Sequence, residues 1–357
     1  MKILKYVLYT TIIFVSSACS DYLDKMPDDQ LTLEMVFKDK TRTEDWLAGV
    51  YTNIPDPYWG YTREISFDPL SDDMAPSTGW EQFGWSVIAK QTGNWSPSSD
   101  WSPNYWSELP KRIRSAYIFI NNVKANEAQK VTEDDVNNMK YEARFLIAYY
   151  YSLLIDVYGP IPFKPGIVSG DATEEELMLG QTPFDEIVDW IDKELIELST
   201  LLPASYAENQ KFGRATSIMC LAVRARMLLF AASPLVNGNP DYKGFVNNKG
   251  IELFNETYDA GKWTIALNAC KELIQVAETN GHQLYYEYNA DGSIDPFLSY
   301  QNMMFKKTTD GNNEILFART DVNSSAYEQH SNPRGTAVNV GLGVNQSWVA
   351  ELYRKNV

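Results

Sequence analysis

The sequence predicts a mostly α fold, a succession of paired helices joined by long irregular loops, and three observations carry that expectation. After residue 100 apolar residues recur at the i, i+3, i+4, i+7 spacing of a buried helix face in segment after segment. No block of alternating apolar and polar residues competes with them. The stretches between, above all 55–106 and 233–262, are rich in Pro, Gly and Asn and longer than ordinary connections. Helices of this size in close succession suit a divergent solenoid of helix pairs, although no strict repeat is visible.

The first residues read differently from the rest. Lys2 and Lys5 form a basic start, an apolar run extends from Tyr6 to Val15, and Ser16, Ser17 and Ala18 precede Cys19. That layout is a secretory leader over 1–18, too short in its apolar part for a membrane span of about 20 residues. A Cys directly after the cleavage point makes Cys19 the candidate lipidated first residue of a mature chain 19–357. An ordinary leader with an incidental Cys is the alternative.

The helices follow in order. One is expected near Glu44–Tyr51 and one near Ile113–Val123, the latter beginning around Pro110 because a proline removes a backbone donor from a helix interior. From Phe145 to Val157 the chain is apolar on nearly every side, the mark of a helix covered by several neighbours, and Gly159 and Pro160 end it. Phe184, Ile187, Val188, Ile191, Leu195, Leu198 and Leu202 trace one face of the next helix, with Thr182 placed as N-cap, Pro183 at the first helical position and Asp185 completing a capping-box-like start. The run from Thr216 to Ala232 is a second helix buried all round, stopped by Pro234 and Gly238. Trp263, Ala266, Leu267, Cys270, Leu273, Ile274 and Ala277 define the core face of a last clear helix, with Gly281 after it.

Composition removes several classes of function. With 47 Asp and Glu against 31 Lys and Arg the formal charge is -16, which repels nucleic acid and anionic membrane, so no nucleic-acid partner is expected. His282 and His330 stand in unrelated contexts, so neither a His-based triad nor a multi-His zinc site can be assembled, and no cofactor or metal is expected. Cys220 and Cys270 fall in separate helices and are expected to be buried free thiols, although a secreted setting would allow them to pair.

Several segments, in order, resemble the SusD/RagB family. Cys19 followed by Asp21, Tyr22, Leu23, Asp24 and Pro27 is similar to that family's lipidated start. YWSELPKRIRSAYIFINNV, YEARFLIAYYYSLLIDVYGPIPF, FGRATSIMCLAVRARMLLFAASPL and KWTIALNACKELIQ resemble its helices, and NEILFAR resembles a strand. Pro110, and Tyr117 where the family often has Asn, depart from the pattern. The resemblance implies tetratricopeptide-like helix pairs in an α-α superhelix, and a cell-surface outer-membrane lipoprotein that binds oligosaccharide without catalysis and hands it to a SusC-like TonB-dependent transporter. It also implies that the segment 339–357 leads into a further C-terminal portion, so the chain is expected to be an incomplete domain with apolar surface showing near Phe305, Phe317 or Trp348.

Between Trp59 and Trp106 lie six of the ten Trp, in a stretch of turn formers without helical or alternating pattern. Pyranose rings stack C–H faces on indole, and their hydroxyls need amide or carboxylate partners. Trp80, Trp85 and Trp95, with Asp72, Asp73 and Asn94, are therefore the candidate ligand residues, while Trp101 and Trp106 suit a cover over the helical core. The resemblance adds that family members bind glycan on aromatic loops of this part of the chain. Tyr285 and Tyr286, in YYEYN, are candidates for the same ligand face; Asp291 and Gly292 after them read as a turn, since a calcium loop would need Glu at the position of Leu298. Two other functions stay open on the residues alone: a helix-rich glycoside hydrolase with two facing carboxylates in an aromatic cleft, and a helical-repeat scaffold with an apolar groove for a protein partner.

Overall fold

A computed structural model of the chain describes residues 31–55, 74–76, 89, 91–96, 98–99, 104–320 and 342–344. Helix α1 (Leu33–Lys38) starts at Thr32, whose hydroxyl accepts from the Met35 N–H, and α2 (Lys40–Tyr51) starts at Asp39, whose carboxylate accepts from Arg42 N–H at 2.9 Å. α3 (Tyr105–Asn122) and the long α4 (Glu133–Tyr158) follow, the latter opened by a reciprocal capping box between Thr132 and Asp135. The short α5 (Glu174–Leu177), then α6 (Phe184–Leu201), α7 (Ser217–Ala232), α8 (Gly261–Thr279) and α9 (Pro296–Phe305) complete the helices among the described residues. Strands are minor: β1 (Met74–Pro76) pairs antiparallel with β4 (Leu342–Val344), and β2 (Glu287–Tyr288) with β3 (Ile294–Asp295).

The expected fold class is the observed one. α2 packs on α3, α3 on α4, α4 on α6, α6 on α7 and α7 on α8, a superhelical succession in which each long helix is covered by its neighbours in the chain. The seam is apolar at its centre: Phe119, Phe145, Leu146, Tyr150, Ile155, Phe184, Ile187, Ile191, Leu195 and Leu198 are fully buried. Ion pairs tie its flanks. Arg144 on α4 grips Glu194 on α6 with two parallel N–H donors at 2.6 and 3.1 Å, and Arg224 on α7 reaches both Asp192 on α6 and Glu272 on α8.

Four local expectations are corrected. α3 begins at Tyr105, five residues before Pro110, because Asn104 caps it through the Ser107 N–H and the rings of Tyr105 and Leu109's side chain are buried on its first turns. α6 begins at Phe184, so Pro183 is the cap position; Thr182 donates its N–H to the Ile161 carbonyl, and Asp185 pairs with Lys262 at 2.6 Å in place of a capping box. α8 buries only Ala266, Ala269 and Ala277 fully, while Leu267 and Ile274 are exposed, since α7 covers one side of it and no other described helix covers the opposite one. NEILFAR, 313–319, forms turns instead of a strand, with Phe317 packed at 6.0 Å on Phe145 and 5.3 Å on Tyr149.

The long loop after α7 is ordered by one side chain. The Asn237 amide, buried, donates to the Ala232 and Asp259 carbonyls and accepts from the Asp259 N–H, stapling both ends of 233–262. Gly238 beside it sits at φ 71° with its Cα so close to Tyr258 that an added Cβ would lie 2.5 Å from backbone atoms. Cys220 is buried and Cys270 half-buried, and both are free thiols. Phe305 is 76% exposed, Phe317 is half-buried, and Trp348 lies outside the described residues.

Candidate functional site

Cys19, Asp72, Asp73, Trp80 and Trp85 lie outside the described residues. Asn94 and Trp95 stand on an exposed stretch held by the Asn94 N–H donating to the Ala89 carbonyl, and the indole of Trp95 is 53% exposed. Trp106 covers the core edge: on the first turn of α3 it meets Tyr158 edge-on at 5.3 Å, and its N–H donates to the Tyr158 hydroxyl.

Tyr285 and Tyr286 come together on one small hairpin. Asp291 and Gly292 form the turn, with Gly292 at φ 82° and the Gly292 N–H donating to the Asn289 carbonyl, so that β2 and β3 pair through Glu287–Asp295 and Tyr288–Ile294. Tyr286 and Tyr288 are exposed, their ring centroids 6.4 Å apart. Sequence reasoning missed Glu287 and Asn302. The Glu287 N–H donates to Ser299; the Tyr285 hydroxyl and the Asn302 amide both donate to Glu287 Oε1, and these two bonds, Tyr285's first, hold its carboxyl below the usual range. The only sequence signal was the alternation of Tyr286 and Tyr288 about Glu287; Asn302 arrives from α9, beyond the reach of local pattern. The assembly presents two aromatic faces beside a fixed carboxylate and an amide, which is chemistry for holding hydroxylated rings.

Behind the surface, the Glu142 carboxylate is fully buried and accepts from Arg214 Nε at 2.7 Å, the Tyr51 hydroxyl at 2.7 Å and the Asn138 amide at 2.8 Å. Burial raises its pKa and the Arg214 guanidinium opposes the rise. Tyr51 accepts in turn from the Ala215 N–H, so the network locks α2, α4 and the approach to α7 together. Its members are saturated by one another, which makes it structural. No cluster of three His, Cys, Asp or Glu suited to a metal occurs among the described residues, and no described helix is long and apolar enough to cross a membrane.

Residues 21–229 match the profile of a family described as SusD-like, "starch-binding associating with outer membrane". The chain belongs to the SusD-like family. No curated protein sequence matches it. Among solved structures, a protein named BT4246 is 28% identical over 79% of this chain and 50% of its own, with a TM-score of 0.65. A SusD homolog from Bacteroides thetaiotaomicron superposes with a TM-score of 0.60 at 16% identity, covering 90% of this chain and 57% of that one. A SusD-like protein from Bacteroides fragilis does so with a TM-score of 0.55 at 17% identity, covering 82% and 47%. The last two show a shared fold. This SusD-like chain spans about half the length of the solved structures it matches.

Proposed function

We propose that this chain is part of a cell-surface lipoprotein that binds oligosaccharide and passes it, chemically unaltered, to a SusC-like TonB-dependent transporter in the outer membrane. The family match over 21–229 carries the reading, since the family is described as starch-binding and outer-membrane associated. Cys19 is the proposed lipid anchor, in a mature chain running on from residue 19. The proposed ligand residues are Trp80, Trp85 and Trp95, with Asp72, Asp73 and Asn94, and Tyr285 and Tyr286 on the hairpin. Exposed rings beside amides and a fixed carboxylate support this assignment.

A glycosidase needs two carboxylates on opposite sides of the scissile bond, one of them raised in pKa. Among the described residues the raised carboxylates are Glu142, saturated in its network, and Asp156, which has no second carboxylate in its cleft. That arrangement favours binding over hydrolysis.

The test is a glycan array on the purified chain, followed by Trp80→Ala, Trp85→Ala and Trp95→Ala on the ligand found. A ring stacked on a sugar buries roughly 50 Å² of apolar surface, about 1 kcal/mol at 25 cal/mol per Å², so each change should lower affinity about tenfold or less while leaving the thermal midpoint unaltered. Loss of several kcal/mol of stability with sugar binding intact would make these Trp structural. For the anchor, cell fractionation should find Cys19→Ala released from the outer membrane; retention equal to the parent would refute it.

A further inference from the structure

The cleft between α4 and α7 has the chemistry of a binding site and no role in anything above. Tyr149, Ser152, Leu153 and Asp156 line it from one face of α4, Ala222, Val223, Arg226 and Met227 from one face of α7, and Phe317 from across. It opens because both helices pack on α6 and touch each other only in passing. Its volume is about 180 Å³, which suits a single sugar ring within the cleft itself.

The polar groups of the lining are open to solvent and not engaged with one another. Asp156 is a half-buried carboxylate that accepts no hydrogen bond and makes no ion pair within 4 Å among the described residues, although Arg226 lies near enough to feel its charge. The Tyr149 hydroxyl, half-buried, likewise has no partner there; Ser152 donates to the Tyr149 carbonyl and keeps its acceptor capacity free. A carboxylate, a phenol and an exposed guanidinium facing one cleft suit an occupant with both donors and acceptors. Vicinal hydroxyls fit that demand: one donates to Asp156 while its neighbour accepts from Arg226 or Tyr149. Opposite charges on the two walls disfavour an ionic occupant, which would meet one of them as a like charge. Tyr149 and Phe317 pack on each other at 5.3 Å and 58° and give the cleft an apolar wall.

We propose that this cleft is a subsite for one neutral pyranose ring, held by Asp156, Arg226 and Tyr149 and walled by Phe317. The sugar class rests on the glycan-binding reading above; the cleft and its lining do not.

Met227 supplies a local reporter, being buried in the cleft wall. In the whole chain labelled with ¹³C-methyl methionine, its signal is assigned as the one lost in Met227→Leu. Titration with glucose, galactose, mannose or xylose should shift that signal saturably for at least one sugar. Asp156→Asn, which keeps the shape, should weaken the response about tenfold, the effect of one hydrogen bond to a charged group. Tyr149→Phe should weaken it less, and Ala222→Leu, which fills the cleft, should abolish it. A silent Met227 methyl with all four sugars overturns the proposal, as does a response that survives Ala222→Leu or one given by glucuronate alone. If the array gives glycan hits while Met227 stays silent, the subsite fails and the glycan reading stands; if neither responds, both fail.

Discussion

Removing the Glu142 carboxylate should be among the most damaging single changes to this fold. Glu142 is fully buried and holds three donors, from Arg214, Tyr51 and Asn138, that belong to three separate stretches of chain. Breaking a buried pair by deleting one partner costs about 3 to 5 kcal/mol, because the other charge stays behind uncompensated. The Arg214 side chain is 27% exposed and can recover some hydration, so the low end applies, about 3 kcal/mol for Glu142→Ala. In a domain of ~150 to 250 residues each kcal/mol moves the midpoint by about 2 to 4 °C, giving a loss of roughly 6 to 12 °C. Glu142→Leu with Arg214→Met should recover most of that, since an apolar pair of similar volume replaces a buried ion pair at little net cost. The assay is urea unfolding followed by helical circular dichroism on the two single variants and the double one. A coupling energy of about 1.5 kcal/mol or more is expected. Additive single effects, with coupling below about 0.5 kcal/mol, would refute the claim that the network holds α2, α4 and the start of α7 as a unit.

Gly238→Ala should cost at least about 2 kcal/mol in the same assay, since it combines a left-handed backbone with a clash on Tyr258, whereas Gly244→Ala, at φ 73° with open space around it, should cost only about 1 kcal/mol. Leu195→Ala should destabilise by about 2 to 5 kcal/mol and Ile196→Ala, on the exposed side of α6, by about 0.5 kcal/mol or less; equal effects would mean that α6 is rotated. Burial raises the Asp156 pKa, so the stability this group contributes is complete below its unfolded value and is lost as pH rises through the folded one. Asp156→Asn should therefore raise the thermal midpoint at neutral pH and leave it unchanged at ~pH 3, below the ordinary Asp value; an advantage that persists in acid would point to packing instead.

Much of the scaffold was legible because helical period is a local signal. The apolar faces of α4, α6 and α7 are where Phe145, Ile191 and Leu228 put them, and Gly159 and Gly281 end helices with positive φ as their positions imply. What failed depended on neighbours. Leu267 and Ile274 carry the same period as Ala266 and Ala277, yet only the latter are buried, and no property of α8 alone distinguishes them. NEILFAR has strand-like composition, but Phe317 finds its partners in Tyr149 and Phe145 on α4. Tyr285 and Tyr286 could be singled out from the sequence, whereas Glu287 owes its fixed orientation to Asn302, fifteen positions on.

Two of the segments that carry the family resemblance also supply ion pairs that join one element to another. YEARFLIAYYY contributes Glu142 and Arg144, and FGRATSIMCLAVRARM contributes Arg214 and Arg224; each finds its partner on another stretch of the chain. A charged residue inside an apolar helix must be matched by a particular residue on a neighbour, because leaving it unpaired costs several kcal/mol, so such positions specify how one helix docks on the next. Trp95, Tyr286 and Tyr288 are exposed and lie outside the buried apolar seam. These segments of the resemblance therefore report on how the helices dock. On the proposed reading the ligand is told apart by such rings and the polar groups beside them, so the substitutions that test binding fall on loops and in the cleft and those that test the fold fall on the ion pairs between elements.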